Sequence, residues 1–197
     1  MNEIYNYAKA ASNLYGAIKI NDLIEIISHY ENENVTKEDV LKELINDSDR
    51  IIVKDEIISL GDYSLEYDMK EILELFIEQN SYSKYLPTKD EFLKYVDESY
   101  TNPIKPFNAL YEYALKEGIK HENNDFVYDQ IIELKHICAL GYGFDMMVDH
   151  LKDNLFRFEK EEDFEVVMPY LLDIFNNTRM YFYNGHTANE VRDLLQK

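Results

Sequence analysis

Apolar residues recur three and four apart through most of the chain, and that spacing is the mark of amphipathic helices packed on a common core. From the start to about Tyr15, the positions Ile4, Tyr7, Ala8, Ala11 and Leu14 form one such stripe and predict a first helix. Ala17 to Ile20 then reads as a short strand, and Asn21 stands as N-cap of a second helix running to about Tyr30. Thr36 predicts the next start, because Asp39 stands at the third helical position and Val35 before the cap can meet Val40 as a hydrophobic staple. That third helix is expected to reach roughly Asn46.

Two β-branched runs between Arg50 and Leu60, broken by Lys54-Asp55-Glu56, change the period from helix to strand and predict a hairpin. Helix, strand, helix, helix, hairpin is the order of a winged-helix-like domain, placed at residues 1–62. Beyond Gly61 the pattern is helical throughout, which places a helical domain at 63–197. Its expected helices span Ser64 to Asn80, Thr88 to Tyr100 with a Thr88/Glu91 capping box, Phe107 to Glu117, Asn124 to Leu140 and Phe144 to Leu155. A long helix from about Glu161 to Tyr183 follows, with Pro169 inside it. Gly185 ends it, and a Thr187/Glu190 capping box opens a terminal helix to about Gln196. The fold class is thus mainly α, with a small β-hairpin near the N-terminus.

Composition narrows what such a fold could do. With 39 acidic and 20 basic residues in 197, the formal charge is −19, which repels phosphates and anionic lipid. The excess is shared, with net charges of −7 over residues 1–63 and −12 over 64–197. The third helix, where a winged helix would read DNA, sets Lys37 and Lys42 against Glu38, Asp39, Glu43 and Asp47. Nucleic acid is therefore not the expected partner, although a winged-helix transcriptional regulator stays among the alternatives. Cys138 is the single cysteine, so no intramolecular disulfide and no thiolate zinc cluster can form, and a reducing cytoplasm is the expected location. No run of eighteen apolar residues is present, and no membrane association is expected. Frequent Ile, Asn and Tyr with scarce Gly and Pro suit AT-rich coding, and so a bacterium or its phage.

The chemistry-bearing motifs are few. Glu133 and His136 have the Glu-x-x-His spacing of di-iron bundles, but no second copy exists, and with Asp129 they share a polar stripe opposite Val127, Ile131, Leu134 and Cys138. His29, His121, His150 and His186 are dispersed. There is no Gly-rich phosphate loop and no nucleophile elbow, and Cys138 lies on an apolar stripe. No catalytic residue, metal or cofactor is expected.

Tyrosine is the oddity, with 17 Tyr beside 10 Phe and no Trp. Tyr is favoured where one side of a ring meets a partner, so Tyr82, Tyr85, Tyr95, Tyr100, Tyr181 and Tyr183 are the candidate exposed rings. The alternative is that these rings line contacts between helices. The stretch Asn176 to Glu190 is the most distinctive in the chain, and Asn176, Asn177, Arg179, Tyr181, Tyr183 and His186 are its interaction candidates. Arg179 can form a forked pair with a carboxylate, and a polar clasp between two helices is the structural alternative.

This stretch, NNTRMYFYNGHTANE, resembles an NNTR…GHTxNE pattern found in the helical region of many proteins of low-GC Gram-positive bacteria, where it often precedes a SEC-C zinc motif. The matching residues are Asn176, Asn177, Thr178, Arg179, Gly185, His186, Thr187, Asn189 and Glu190, and ASNLYGAIKINDLIEI and YLPTKDEFLKYVDESY look similar to the same proteins. Tyr181 stands where those proteins usually have Trp, and Ala188 where they have Pro. No cysteine-rich tail follows before Lys197, so the resemblance implies a helical fold and transfers neither zinc nor an activity. The combined expectation is a non-enzymatic adaptor whose partner is another protein, a second copy of the chain included. The alternative is an acidic nucleic-acid mimic that inhibits a defence or nucleic-acid enzyme.

Overall fold

A computed structural model describes residues 3–45, 51–60, 69–116, 124–157 and 161–196, and divides the chain into two compact units, Met1–Tyr100 and Thr101–Lys197. The first holds α1 (Glu3–Tyr15), β1 (Ala17–Lys19), α2 (Ile20–Glu31), α3 (Lys37–Ile45), β2 (Ile51–Lys54), β3 (Ile57–Leu60), α4 (Met69–Gln79) and α5 (Lys89–Phe92), which runs on as a 3-10 turn over Leu93–Val96. The second holds α6 (Lys105–Lys116), α7 (Asn124–Ala139), α8 (Phe144–Asn154), α9 (Glu161–Asn177) and α10 (Ala188–Leu195). The described residues are mainly helical with one small antiparallel sheet, as expected.

In that sheet β3 is central, in the order β1-β3-β2, with Ile18 opposite Ile58 and Val53 also opposite Ile58. The β2–β3 turn closes without glycine, both Asp55 and Glu56 adopting the left-handed conformation that a tight hairpin with right-twisted strands demands. Strand β1 passes directly into α2. Lys19 is therefore the N-cap instead of Asn21, and the first amide, Ile20 N–H, donates to Glu56 O across the sheet at 2.9 Å. At α3, Thr36 and Asp39 exchange backbone and side-chain hydrogen bonds, and Val35 packs against the core that contains Val40.

The boundary expected at 62/63 is not where the chain divides. Residues 81–100 close the first core instead of opening a second one. Phe92 and Tyr95 are buried among Tyr7, Leu14 and Tyr15 of α1, and Ile72 and Phe76 of α4 pack with Ala17 and Ile57 of the sheet. Three side chains from α1 and α2 then pin the segment by its carbonyls. Asn13 Nδ2 donates to Tyr95 O at 2.7 Å, Tyr15 OH to Tyr85 O at 2.8 Å and Tyr30 OH to Pro87 O at 2.7 Å. Ion pairs Lys84–Asp22, Lys89–Glu31 and Lys9–Glu98 lie along the same seam.

The Thr88 helix is shorter than expected. Thr88 caps it by accepting from Glu91 N–H, but the chain tightens to a 3-10 turn at Leu93, which delivers Tyr95 to the core and frees its carbonyl for Asn13. The helix expected over Ser64 to Asn80 is observed from Met69 to Gln79, and its first residues fall outside those described, as does Asn46. In the second unit, Phe107, Leu110, Ile131, Leu134, Met147, Leu151, Leu171 and Ile174 form a buried core shared by all four long helices. Helix α9 continues through Pro169 and stops at Asn177, not Tyr183, because the chain leaves the helical ladder after the last i→i−4 bond, Thr178 N–H to Ile174 O: Arg179 pairs with Thr187 and Met180 N–H with His186 O instead.

Candidate functional site

Past Asn177 the chain makes a tight reversal. Arg179 pairs with Thr187 as an isolated antiparallel bridge, Met180 N–H donates to His186 O, and Asn184 and Gly185 take left-handed conformations between them. Thr187 and Glu190 form the expected capping box of α10, with Glu190 N–H donating to Thr187 Oγ1 at 3.2 Å and Thr187 N–H to Glu190 Oε2 at 3.0 Å. The reversal brings Arg179 back onto this box. Its Nη1 donates to Glu190 Oε2 at 2.8 Å and to Gly185 O at 3.0 Å, while Nη2 reaches Glu190 Oε1 at 3.3 Å. His186 Nδ1 lies 3.4 Å from the same carboxylate.

Burial works against ionisation of Glu190, but the contacts of His186, Arg179 and the Thr187 amide outweigh it and hold the carboxyl down at about 2. Asn177 caps the end of α9 through Asp173 and accepts from Asn189 Nδ2 at 3.2 Å, which ties that end to α10. Asn176, Asn177, Arg179 and His186 are all partly buried. The fork of Arg179 is thus engaged by Glu190 and a carbonyl of its own turn. What the cluster does with this geometry is fix the angle between α9 and α10, the clasp considered from the sequence.

Burial takes two of the six candidate tyrosines off the surface. Tyr181 is only 6% exposed and Tyr95 only 3%, while Tyr82, Tyr85, Tyr100 and Tyr183 are half-buried. Tyr181 was expected on a helix; it lies on the turn, where its amide donates to Ala139 O at the end of α7 and its ring is drawn inward. Its neighbour Phe182 covers Gly141, a left-handed glycine at which any Cβ would come within 2.9 Å of the ring. Tyr95 stacks edge-on against Tyr100, whose hydroxyl donates to Glu91 at 2.6 Å. Tyrosine here supplies large rings to helix contacts and hydroxyls to buried carbonyls and carboxylates.

Glu133 and Asp129 are exposed and His136 is half-buried on α7. Among the described residues no group of three or more His, Cys, Asp or Glu side chains is placed to hold a metal ion. Cys138 is buried, its thiol pushed up to about 12 by burial, and its Sγ sits 3.5 Å from Met147 Sδ.

One surface was missed. On α4, Leu73 is 53% and Ile77 69% exposed, and these two side chains stand one turn apart beside Phe76. They form one wall of a groove of about 550 Å³ whose other wall is the start of α2 and the β2–β3 turn, with Ile20, Ile57, Lys19 and Asp55. The signal was present in the sequence, because Ile72, Leu73, Leu75, Phe76 and Ile77 spread apolar side chains around more of α4 than one core face requires.

No family model, no curated protein and no solved structure matches the chain. No helix among the described residues is long and apolar enough to cross a membrane.

Proposed function

We propose that this is a non-enzymatic protein-binding protein, an adaptor of a bacterium or its phage acting in the cytoplasm, and that its docking surface is the α4 groove and not the tyrosines. The observation that carries this reading is the pair Leu73 and Ile77, apolar, exposed and contiguous with Phe76 in a groove of about 550 Å³. The test is capture from a nuclease-treated extract of the source organism. A stoichiometric protein partner retained by the wild type and lost with Ile77→Asp supports the proposal. Equal retention by the variant, or no partner, refutes it.

Charge mimicry is the second reading, and one feature favours it. Asp125, Asp129 and Glu133 on α7 and Asp145, Asp149 and Asp153 on α8 each stand four residues apart and are all exposed. Four helical residues rise ~6 Å, so each row spaces its negative charges ~6 Å apart along its helix, close to the interval of every second phosphate. A single nucleic-acid strand carries one per ~3.4 Å. Replacing Asp129, Glu133, Asp145, Asp149 and Asp153 by their amides removes the rows while leaving the groove intact. If mimicry operates, that variant loses its ability to displace DNA from a basic partner at low salt. The regulator alternative draws less support, since Lys37 at the start of α3 is tied to Glu56 of the hairpin and Glu38 and Asp39 are exposed beside it.

A further inference from the structure

We infer that the occupant of the α4 groove is a cationic amphipathic helix of a partner protein, an inference that rests on the protein-binding reading above and names its chemistry. The ridge formed by exposed Leu73, Ile77 and Asn80, with buried Phe76 at its base, covers seven residue steps, ~10 Å or two helical turns. That length accepts apolar side chains at positions i, i+3 or i+4, and i+7 of a facing helix. The charges around the groove decide its sign. Glu56 is held by Lys37 and Glu74 by Lys70, both across exposed pairs, and Lys19 lies over the Phe76 ring at 5.2 Å from its centre. Asp55 on one wall, and Glu71 and Glu78 on the outer side of α4, have no ion-pair partner among the described residues. Behind them the first unit carries 22 acidic against 10 basic residues, and six of those lysines are already committed to internal ion pairs. An anionic partner is repelled by this field and a cationic one is steered to it, while the apolar ridge rewards only a helix that also has an apolar face.

The probe is a fluorescein-labelled peptide of Leu and Lys alone, about four helical turns long, with Leu on one face; its control replaces every Lys by Glu. Each is titrated with the full chain and followed by anisotropy at low and high salt. The Leu/Lys peptide binds the wild type, binds at least tenfold more weakly to Ile77→Asp and Leu73→Asp, and binds normally to Leu195→Asp, an exposed position in the second unit. Both groove variants add negative charge, so a loss of affinity reports apolar contact and not a weaker field. Circular dichroism confirms that each variant is folded, and Leu73→Asn serves in place of any that is not. Equal binding by wild type and groove variants, binding of the Leu/Glu peptide with similar affinity, or binding of neither peptide overturns the inference. If neither peptide binds while a native partner is still lost with Ile77→Asp, the groove is a docking site for a partner of different chemistry, and the protein-binding reading stands without this one.

Discussion

Glu190→Gln separates the charge of the clasp from its shape. Glutamine keeps the side chain's length, retains a carbonyl oxygen for Arg179 and can still serve at the third helical position of a capping box. What it removes is a carboxylate held at about 2 against an ordinary value of 4.5. At ~1.4 kcal/mol for each unit of displacement the full effect would be ~3 kcal/mol. The side chain is 39% exposed, so water screens a large part of it, and about 1–2 kcal/mol is the figure to expect. Because the folded value lies below the unfolded one, this stabilisation is complete above pH ~4.5, declines as the pH falls, and is gone below the folded value near 2. Urea unfolding of the full chain, followed by circular dichroism between pH 6 and pH 3.5, compares wild type with variant. The wild type is expected to be more stable at pH 6 by about 1–2 kcal/mol, and roughly two fifths of that gap closes by pH 3.5. Parallel pH profiles, or a gap under about 0.3 kcal/mol at pH 6, would show that the ion pair does not hold α9 to α10.

Three further outcomes check other parts of the structure. Cys138, with its thiol raised to about 12 in a buried site, should resist a thiol-specific reagent at pH 8 until the chain is unfolded; rapid labelling of the native protein would contradict its burial. Gly141→Ala meets both a φ of +79° and the Phe182 ring and should cost ~1–3 kcal/mol, whereas Gly143→Ala, with φ −64° and open space, should change stability by less than ~0.5 kcal/mol; thermal melts of the pair decide it, and similar shifts would refute the geometry. Asn13→Ala leaves a buried Tyr95 carbonyl without its donor, a loss of ~1–3 kcal/mol, and Tyr30→Phe removes a half-buried hydroxyl bond worth ~0.5–1.5 kcal/mol, so the first should lower the urea midpoint more than the second.

Much of the layout was legible because local signals sufficed. The Thr187/Glu190 box, the Thr88 cap, the period-two runs around residues 51–60 and the stripes of α1, α6, α7 and α8 all appear where neighbouring residues specify them. What was misread depends on contacts distant in sequence. Nothing near Asn177 says that Arg179 will pair with Thr187 and Met180 with His186 and so end α9 six residues early, and nothing near Tyr95 says that its carbonyl will meet Asn13. The same cause hid the burial of Tyr95 and Tyr181, since a ring's exposure is decided by the element that covers it. In the candidate site, Arg179 and His186 stand out by residue type, but the sequence presents their common partner Glu190 only as a helix cap and a motif match. The α4 face is silent in the sequence because an exposed Leu–Ile pair reads like any core-facing pair and carries no chemical label.

The bonds from Asn13 to Tyr95 and from Tyr15 to Tyr85 join residues 82 and 70 positions apart. On a ribosome adding ~5–20 residues per second, α1 emerges ~4–16 s before the segment that buries it. During that interval Tyr7, Leu14 and Tyr15 have no Phe92 to meet, and the first unit stays unfinished until residue 100 has cleared the exit tunnel. The seam that closes this unit therefore also sets its timetable, leaving the nascent N-terminal helix, whose Glu3 and Lys9 cancel, dependent on the acidic residues that follow it or on a chaperone to avoid association until Tyr95 arrives.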